Sequence, residues 1–216
     1  MALKSLDHVA LWVAERDRVA DFATARLGMH VIERTERFTL VGADARRGKL
    51  TLFGAEGPRE PGVLAHVGLR VSTLPAEPEL ELPNGLRIVL VEAPTEVEYY
   101  LDHVALRVDD PEASAAGWLP LGFRPAPAGP SGAARVEAGG AYLEFFPGRP
   151  RETEQPLLNH LSVLVESADE WRIQAERAGA DVADVVDAPN TYAVFVWGPD
   201  RVKLEYVEHK PTFSLT

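Results

Sequence analysis

Leu101–Val108 reads LDHVALRV. His103, Ala105 and Arg107 alternate with Val104, Leu106 and Val108, which is the period of a strand buried on one face. The chain contains this stretch four times: Leu6–Val13 is LDHVALWV, Leu64–Val71 is LAHVGLRV and Leu158–Val165 is LNHLSVLV. Every copy has histidine in its third position. Repetition at this level sets the architecture before any single element does.

Each copy opens a unit. After the first, Val19, Phe22, Ala23 and Leu27 fall at helical spacing between Glu15 and Leu27, and Gly28 suits a helix C-terminus. Strand-like runs follow at Phe38–Val41 and Lys49–Phe53. After the second copy, Pro75, Pro78 and Pro83 leave no room for an ordinary helix, and Asn84-Gly85 between apolar runs signals a hairpin. The stretch 94–100 reads as a boundary. After the third copy, Asp110 and Pro111 open a short helix ending near Trp118, and Gly139-Gly140 joins Ala134–Ala138 to Ala141–Phe146. Residues 147–156 form a charged, proline-rich linker. After the fourth copy, Ser167 and Glu170 form a capping box, and a hairpin from Tyr192 to Val207 closes the chain. The class is α+β, with four βαβββ-type modules of which the second is eroded. Taken as sequential pairs, the modules divide the chain into 1–97 and 98–216.

Bulk properties narrow the function. A net charge of -11, from 33 acidic and 22 basic residues, argues against a nucleic-acid or anionic-membrane surface. The absence of cysteine removes disulfides, thiolate metal sites and cysteine nucleophiles. No signal peptide or membrane-length apolar run is present, so a soluble cytoplasmic protein is the expectation.

The four histidine strands, with the closing segments YLEFF from Tyr142 and KLEYV from Lys203, resemble the vicinal oxygen chelate superfamily. That group includes glyoxalase I, bleomycin resistance proteins and extradiol dioxygenases. The resemblance runs from Leu6 to about His209. It implies modules paired into two cup-shaped mixed sheets, a divalent metal (Fe, Mn, Ni, Co or Zn) or a ligand in a concave face, and a small-molecule substrate. A homodimer, with modules exchanged between subunits, is left open.

Strand parity then selects residues. His103, Glu144, His160 and Glu205 lie on the expected cup faces of modules three and four, and are the expected metal ligands, with Glu144 and Glu205 as catalytic carboxylates. Arg107, Tyr142, Ser162, Tyr192 and Lys203 are candidate substrate contacts. In the first two modules the glutamate positions hold Thr51 and Val89. Those modules therefore read as a structural partner, although Trp12 and Arg70 share the histidine face and leave room for an organic ligand. Hairpin counting puts Arg135 opposite Glu144, where it competes for the carboxylate, and Val194 opposite Glu205.

Three chemistries remain. A four-ligand site suits isomerase or lyase proton transfer, the preferred reading. A set of His103, His160 and Glu205 suits extradiol ring cleavage, but the positions matching that family's acid–base residues hold Phe145, Val186 and Phe195. A non-enzymatic, sequestering resistance protein is the third.

Overall fold

The computed structural model describes residues 2–150 and 153–213. The first module is β1 (Ser5–Val13), α1 (Arg16–Leu27), β2 (His30–Arg34), β3 (Phe38–Asp44) and β4 (Arg47–Gly54). The second is β5 (Leu64–Val71), β6 (Glu79–Leu82) and β7 (Leu86–Glu92), with only a 3-10 turn at Pro83–Gly85. Its prolines have removed the helix, as expected. The third is β8 (Tyr100–Val108), α2 (Pro111–Trp118), β9 (Arg124–Pro125), β10 (Ala134–Ala138) and β11 (Ala141–Pro147). The fourth is β12 (Leu158–Leu164), α3 (Ala168–Arg177), β13 (Val182–Asp187), β14 (Thr191–Trp197) and β15 (Lys203–His209).

The helix ends follow their sequence signals. Gly28 terminates α1 in the left-handed region at φ 60°. The Asp110 carboxylate accepts from Ala113 N and the Ser167 hydroxyl from Glu170 N, satisfying first-turn donors that would otherwise be unpaired.

The strands form two mixed sheets. One has the order β13-β14-β15-β12-β1-β4-β3-β2, the other β6-β7-β5-β8-β11-β10-β9. In each module the histidine strand lies parallel to the closing strand. Across each sheet two histidine strands meet antiparallel, β1 with β12 and β5 with β8. The first module therefore pairs with the fourth, and the second with the third. The sheets do not divide at residue 97, as sequential pairing expected. The short segment 93–99 turns β7 directly into β8, which then lies beside β5. Residues 55–63 and 153–157 run together, joined by a bridge between Glu60 and Pro156 and by the bond from Leu157 N to Glu60 O.

The apolar parity of the histidine strands faces one shared core. Val9, Leu11, Val104, Leu106, Leu161 and Val163 are fully buried in a single cluster that spans both sheets. Tyr206 on β15 ties the halves together: its hydroxyl donates to Leu121 O at 2.9 Å, and Trp171 of α3 stacks on its ring at 5.4 Å. Trp171 also lies against Gly122, where φ is 101° and a Cβ would come within 2.2 Å of the indole. The opposite sheet faces carry the histidines.

Candidate metal centre

The register across β1 and β12 sets the first cup. His8 lies beside Ser162, and Ala10 beside His160, so the two imidazoles are diagonal neighbours. Ser162 in turn lies beside Glu205 on the parallel strand β15. His8 Nε2 is 3.2 Å from His160 Nε2 and 3.1 Å from Glu205 Oε2, and His160 Nε2 is 3.2 Å from the same oxygen. All three side chains are largely buried. The contacts are close, yet Glu205 Oε2 has no partner aligned as a hydrogen bond. Three ligand-type atoms are therefore gathered around one point, with an imidazole–imidazole hydrogen bond, His8 Nε2 to His160 Nε2, among them.

The rings are held from behind. Asp7 Oδ1 is 2.7 Å from His8 Nδ1, and Asn159 Oδ1 is 3.0 Å from His160 Nδ1. An Nδ1–H bonded in this way leaves the neutral ring's Nε2 lone pair pointing forward, the usual arrangement behind a metal-binding histidine. Asp7 is itself fixed by Lys49 Nζ at 2.8 Å and approached by His209 Nε2 at 3.2 Å.

Burial and charge act in opposition here. Burial pushes the Glu205 carboxyl up, but the positive His8 and the adjacent His160 ring hold it well below the usual carboxylate range. Burial pushes the His8 imidazolium down, but the Glu205 charge and the bond to Asp7 raise it to about 9. His160 is lowered, chiefly by burial. Asp7 would be raised by burial, yet Lys49, His209 and His8 keep it well below its ordinary value.

Aromatic side chains wall this cup. Phe195 meets the His160 ring edge-on at 5.1 Å, Phe53 lies 6.3 Å from it, and Trp12 packs on Phe53 at 5.3 Å. Arg59 covers Trp12 at 5.8 Å and Lys203 covers Trp197 at 5.2 Å.

The second cup holds the remaining histidines. His66 Nε2 is 2.9 Å from His103 Nε2, and Asp102 Oδ1 holds His103 Nδ1 at 2.8 Å. Glu144 Oε2 stands off at 3.9 Å from His103, while its Oε1 is 3.3 Å from Arg135 Nη1. Burial, His103 and Arg87 lower His66 to about 4. Among the described residues, the set of three ligand-type side chains that closes together is His8, His160 and Glu205.

Residues 5–76 match the family model of the Glyoxalase/Bleomycin resistance protein/Dioxygenase superfamily. That match covers the first module and the histidine strand of the second. Solved structures extend the likeness in fold to the whole chain. A Bacillus subtilis protein described as a candidate dioxygenase superposes with a TM-score of 0.75 at 14% identity, covering 98% of this chain and 87% of that one. Glyoxalase I from Zea mays gives 0.75 at 15% identity, over 94% and 92%. The cppA protein of Streptococcus pneumoniae gives 0.60 at 15% identity, over 95% and 98%. No curated protein sequence matches the chain.

In this fold the four expected ligands do not converge. His160 and Glu205 lie in the first cup, with His8; His103 and Glu144 lie in the second, with His66. Module pairing is the cause, because each cup receives one module that kept its glutamate and one that lost it. Register confirms the losses: Ala10 lies beside Thr51 and Gly68 beside Val89, where Ser162 and Ala105 lie beside Glu205 and Glu144. The expectation that the first module is only structural is corrected in one respect: its His8 stands in the first cup against His160 and Glu205.

The expected substrate contacts separate likewise. Ser162 and Lys203 belong to the first cup, where Ser162 Oγ is buried with no hydrogen-bond partner among the described residues. Arg107 and Tyr142 belong to the second. Arg107 is exposed beside Gly148, and Tyr142 lies 4.1 Å under the Arg135 guanidinium. Tyr192 is on the helix side of its sheet, its hydroxyl donating to Asp169 Oδ1 at 3.0 Å, so it is not a cup wall. The β14–β15 turn shifts the hairpin by one position, placing Phe195 rather than Val194 opposite Glu205. Arg135 does lie opposite Glu144. Asp7, Asn159, Lys49 and His209 were not singled out in the sequence. A signal for the first two was present, because LDH, LDH and LNH recur where the second copy has LAH.

The first cup fits a divalent ion. Three mutually cis ligand atoms about 2.1–2.2 Å from one ion stand about 3.0–3.1 Å apart, whereas tetrahedral ligands spread to about 3.4 Å or more. The observed separations of 3.1 to 3.2 Å lie nearer the first value. Two imidazoles and a carboxylate, with no thiolate, suit Fe, Mn, Co, Ni or Zn.

Proposed function

We propose that the protein is a metal-dependent enzyme that holds one divalent ion on His8, His160 and Glu205 and acts on a small aromatic substrate with two adjacent oxygen donors, cleaving its ring with dioxygen. The observation that carries this reading is Thr51. It occupies the place where a fourth ligand, a carboxylate, would stand. Two histidines and one carboxylate leave three positions open, enough for two substrate oxygens and dioxygen, and this is the ligand set of non-haem iron oxygenases. The four-ligand isomerase or lyase reading depended on Glu144, which lies in the other cup.

When bound, the ion supplies Lewis acidity and, if redox-active, electron exchange with dioxygen. The chain supplies the rest. Asp7 and Asn159 fix the two imidazoles, so the ligand atoms need no rearrangement. Phe195, Phe53 and Trp12 offer flat apolar surfaces against which a planar ring can pack while water is excluded. Lys203, on the same strand face as Glu205, brings a cation to the cup, suited to negative charge developing on the substrate.

Phe53 and Phe195 cannot exchange a proton. That observation favours one second reading, a protein that binds an aromatic ligand without converting it. Anaerobic loading with Fe(II), followed by oxygen uptake with a panel of catechols, separates the two. The enzyme reading expects one dioxygen consumed per ring cleaved, and loss of uptake in Glu205→Gln. Oxygen-independent isomerisation of a 2-oxoaldehyde–thiol adduct would overturn it. Stoichiometric catechol binding without turnover would establish the binder.

A further inference from the structure

The second cup repeats the strand geometry of the first, with a different residue facing its carboxylate. Glu144 lies beside Ala105 as Glu205 lies beside Ser162, and His66 and His103 meet across β5 and β8 as His8 and His160 meet across β1 and β12. The two imidazoles already stand close, 2.9 Å apart against 3.2 Å in the first cup. The difference lies one strand further out. The residue opposite Glu205 is Phe195, and the residue opposite Glu144 is Arg135.

Arg135 is held from three sides. Its Nε donates to Pro127 O at 2.6 Å, its Nη1 to Glu144 Oε1 at 3.3 Å, and its guanidinium lies 4.1 Å over the Tyr142 ring. The carboxylate faces it, and the His103–Glu144 separation is 3.9 Å where His160–Glu205 is 3.2 Å. We propose that the second cup is a divalent-cation site that Arg135 keeps closed, its guanidinium serving as the counter-charge to Glu144.

A buried carboxylate needs a counter-charge. A guanidinium is permanently charged and, seated this way, cannot be displaced by deprotonation. A divalent ion entering beside it would meet like charge and a ligand already engaged. With an uncharged side chain at position 135, Glu144 can turn to the imidazoles and complete a set like that of the first cup.

The comparison with the first cup rests on the metal reading above, so the test counts an increment. Wild type, His103→Ala, Arg135→Met, Arg135→Lys, Arg135→Met/His103→Ala and Arg135→Met/His160→Ala are equilibrated with Mn²⁺ or Co²⁺, desalted and analysed for metal per chain. Circular dichroism confirms the fold of each. Arg135→Met should gain one equivalent over wild type. His103→Ala should remove the gain, His160→Ala should spare it, and Arg135→Lys should show none. If Arg135→Met does not fold, Arg135→Gln carries the same expectation. A folded neutral variant with no gain overturns the proposal, as does a wild-type ion that His103→Ala removes. Zero ions in wild type and one in Arg135→Met, lost with His103→Ala, would sustain the proposal while refuting the first-cup reading.

Discussion

Lys49 Nζ lies 2.8 Å from Asp7 Oδ1, and each side chain is only 3% exposed. This ion pair is fixed on neighbouring strands directly behind His8. Replacing Lys49 with Met strands a buried carboxylate, for which a cost of about 3–5 kcal/mol is expected. Chemical denaturation should show that loss, and Asp7→Asn/Lys49→Met should recover part of it. A double variant no more stable than Lys49→Met would mean that the ion pair is not what holds β1 to β4 here.

The same Asp7, with Asn159, orients the ligand rings. Asp7→Asn and Asn159→Ala should each weaken metal binding by about 10–100-fold, the usual effect of losing a partner behind a metal-bound histidine. Ala65 stands at the matching place in the second copy and offers His66 no such bond. His66→Ala should therefore leave first-cup affinity unchanged in a competition titration with a chelating dye.

Metal uptake should release a proton. In the metal-free protein His8 is held ionised up to about pH 9 by Glu205 and Asp7, against burial. A ligand must be neutral, so below that pH binding displaces its proton, and affinity should rise with pH until about 9 and then level. Calorimetry near pH 7.5 in buffers of different ionisation enthalpy should find about one proton released. Glu205→Gln removes the main charge that raises His8, and should reduce the number released. No dependence on buffer would refute this.

Gly122 is the tight point between modules three and four. Ala at this position meets both an unfavourable φ of 101° and the Trp171 ring, within 2.2 Å of the new Cβ. Gly122→Ala should destabilise by roughly 1–3 kcal/mol. Metal stoichiometry should stay at the wild-type value, because the indole lies on the helix side of the sheet. A thermal melt alongside metal analysis checks both parts.

The fold was legible because the histidine strand repeats with constant parity. Alternation alone assigned His8, His66, His103 and His160 to the faces opposite the core, and the prolines after Val71 announced the missing helix. Module pairing was not legible. Strand β12 is as good a partner for β1 as β5 is, since both carry the same pattern, and nothing in the repeats marks the choice. The candidate site inherits that ambiguity: the sequence singles out His160 and Glu205 but sets His8 aside, because its own module ends in Thr51. The Phe195 register failed for a local reason. Counting takes Gly198–Arg201 as the turn, but Val202 also lies in it and Trp197 pairs with Lys203; Asp200 and Arg201 both take positive φ, at 56° and 58°. Lys49 gave no signal, because nothing in GKLTLFG shows that its ammonium is buried against a residue on another strand.

Pairing the first module with the fourth also orders events during synthesis. The sheet of β5 to β11 is complete once residue 147 has emerged, with its two inner strands joined by a short link. Strand β1 must wait with one edge unpaired until β12 arrives. His8 is made long before Glu205, so a ribosome-bound chain cannot bring His8, His160 and Glu205 together until β15 is free. Arrest of translation before β15 would leave a protein with one finished sheet, an open hydrogen-bonding edge on the other, and no complete ligand set in the first cup.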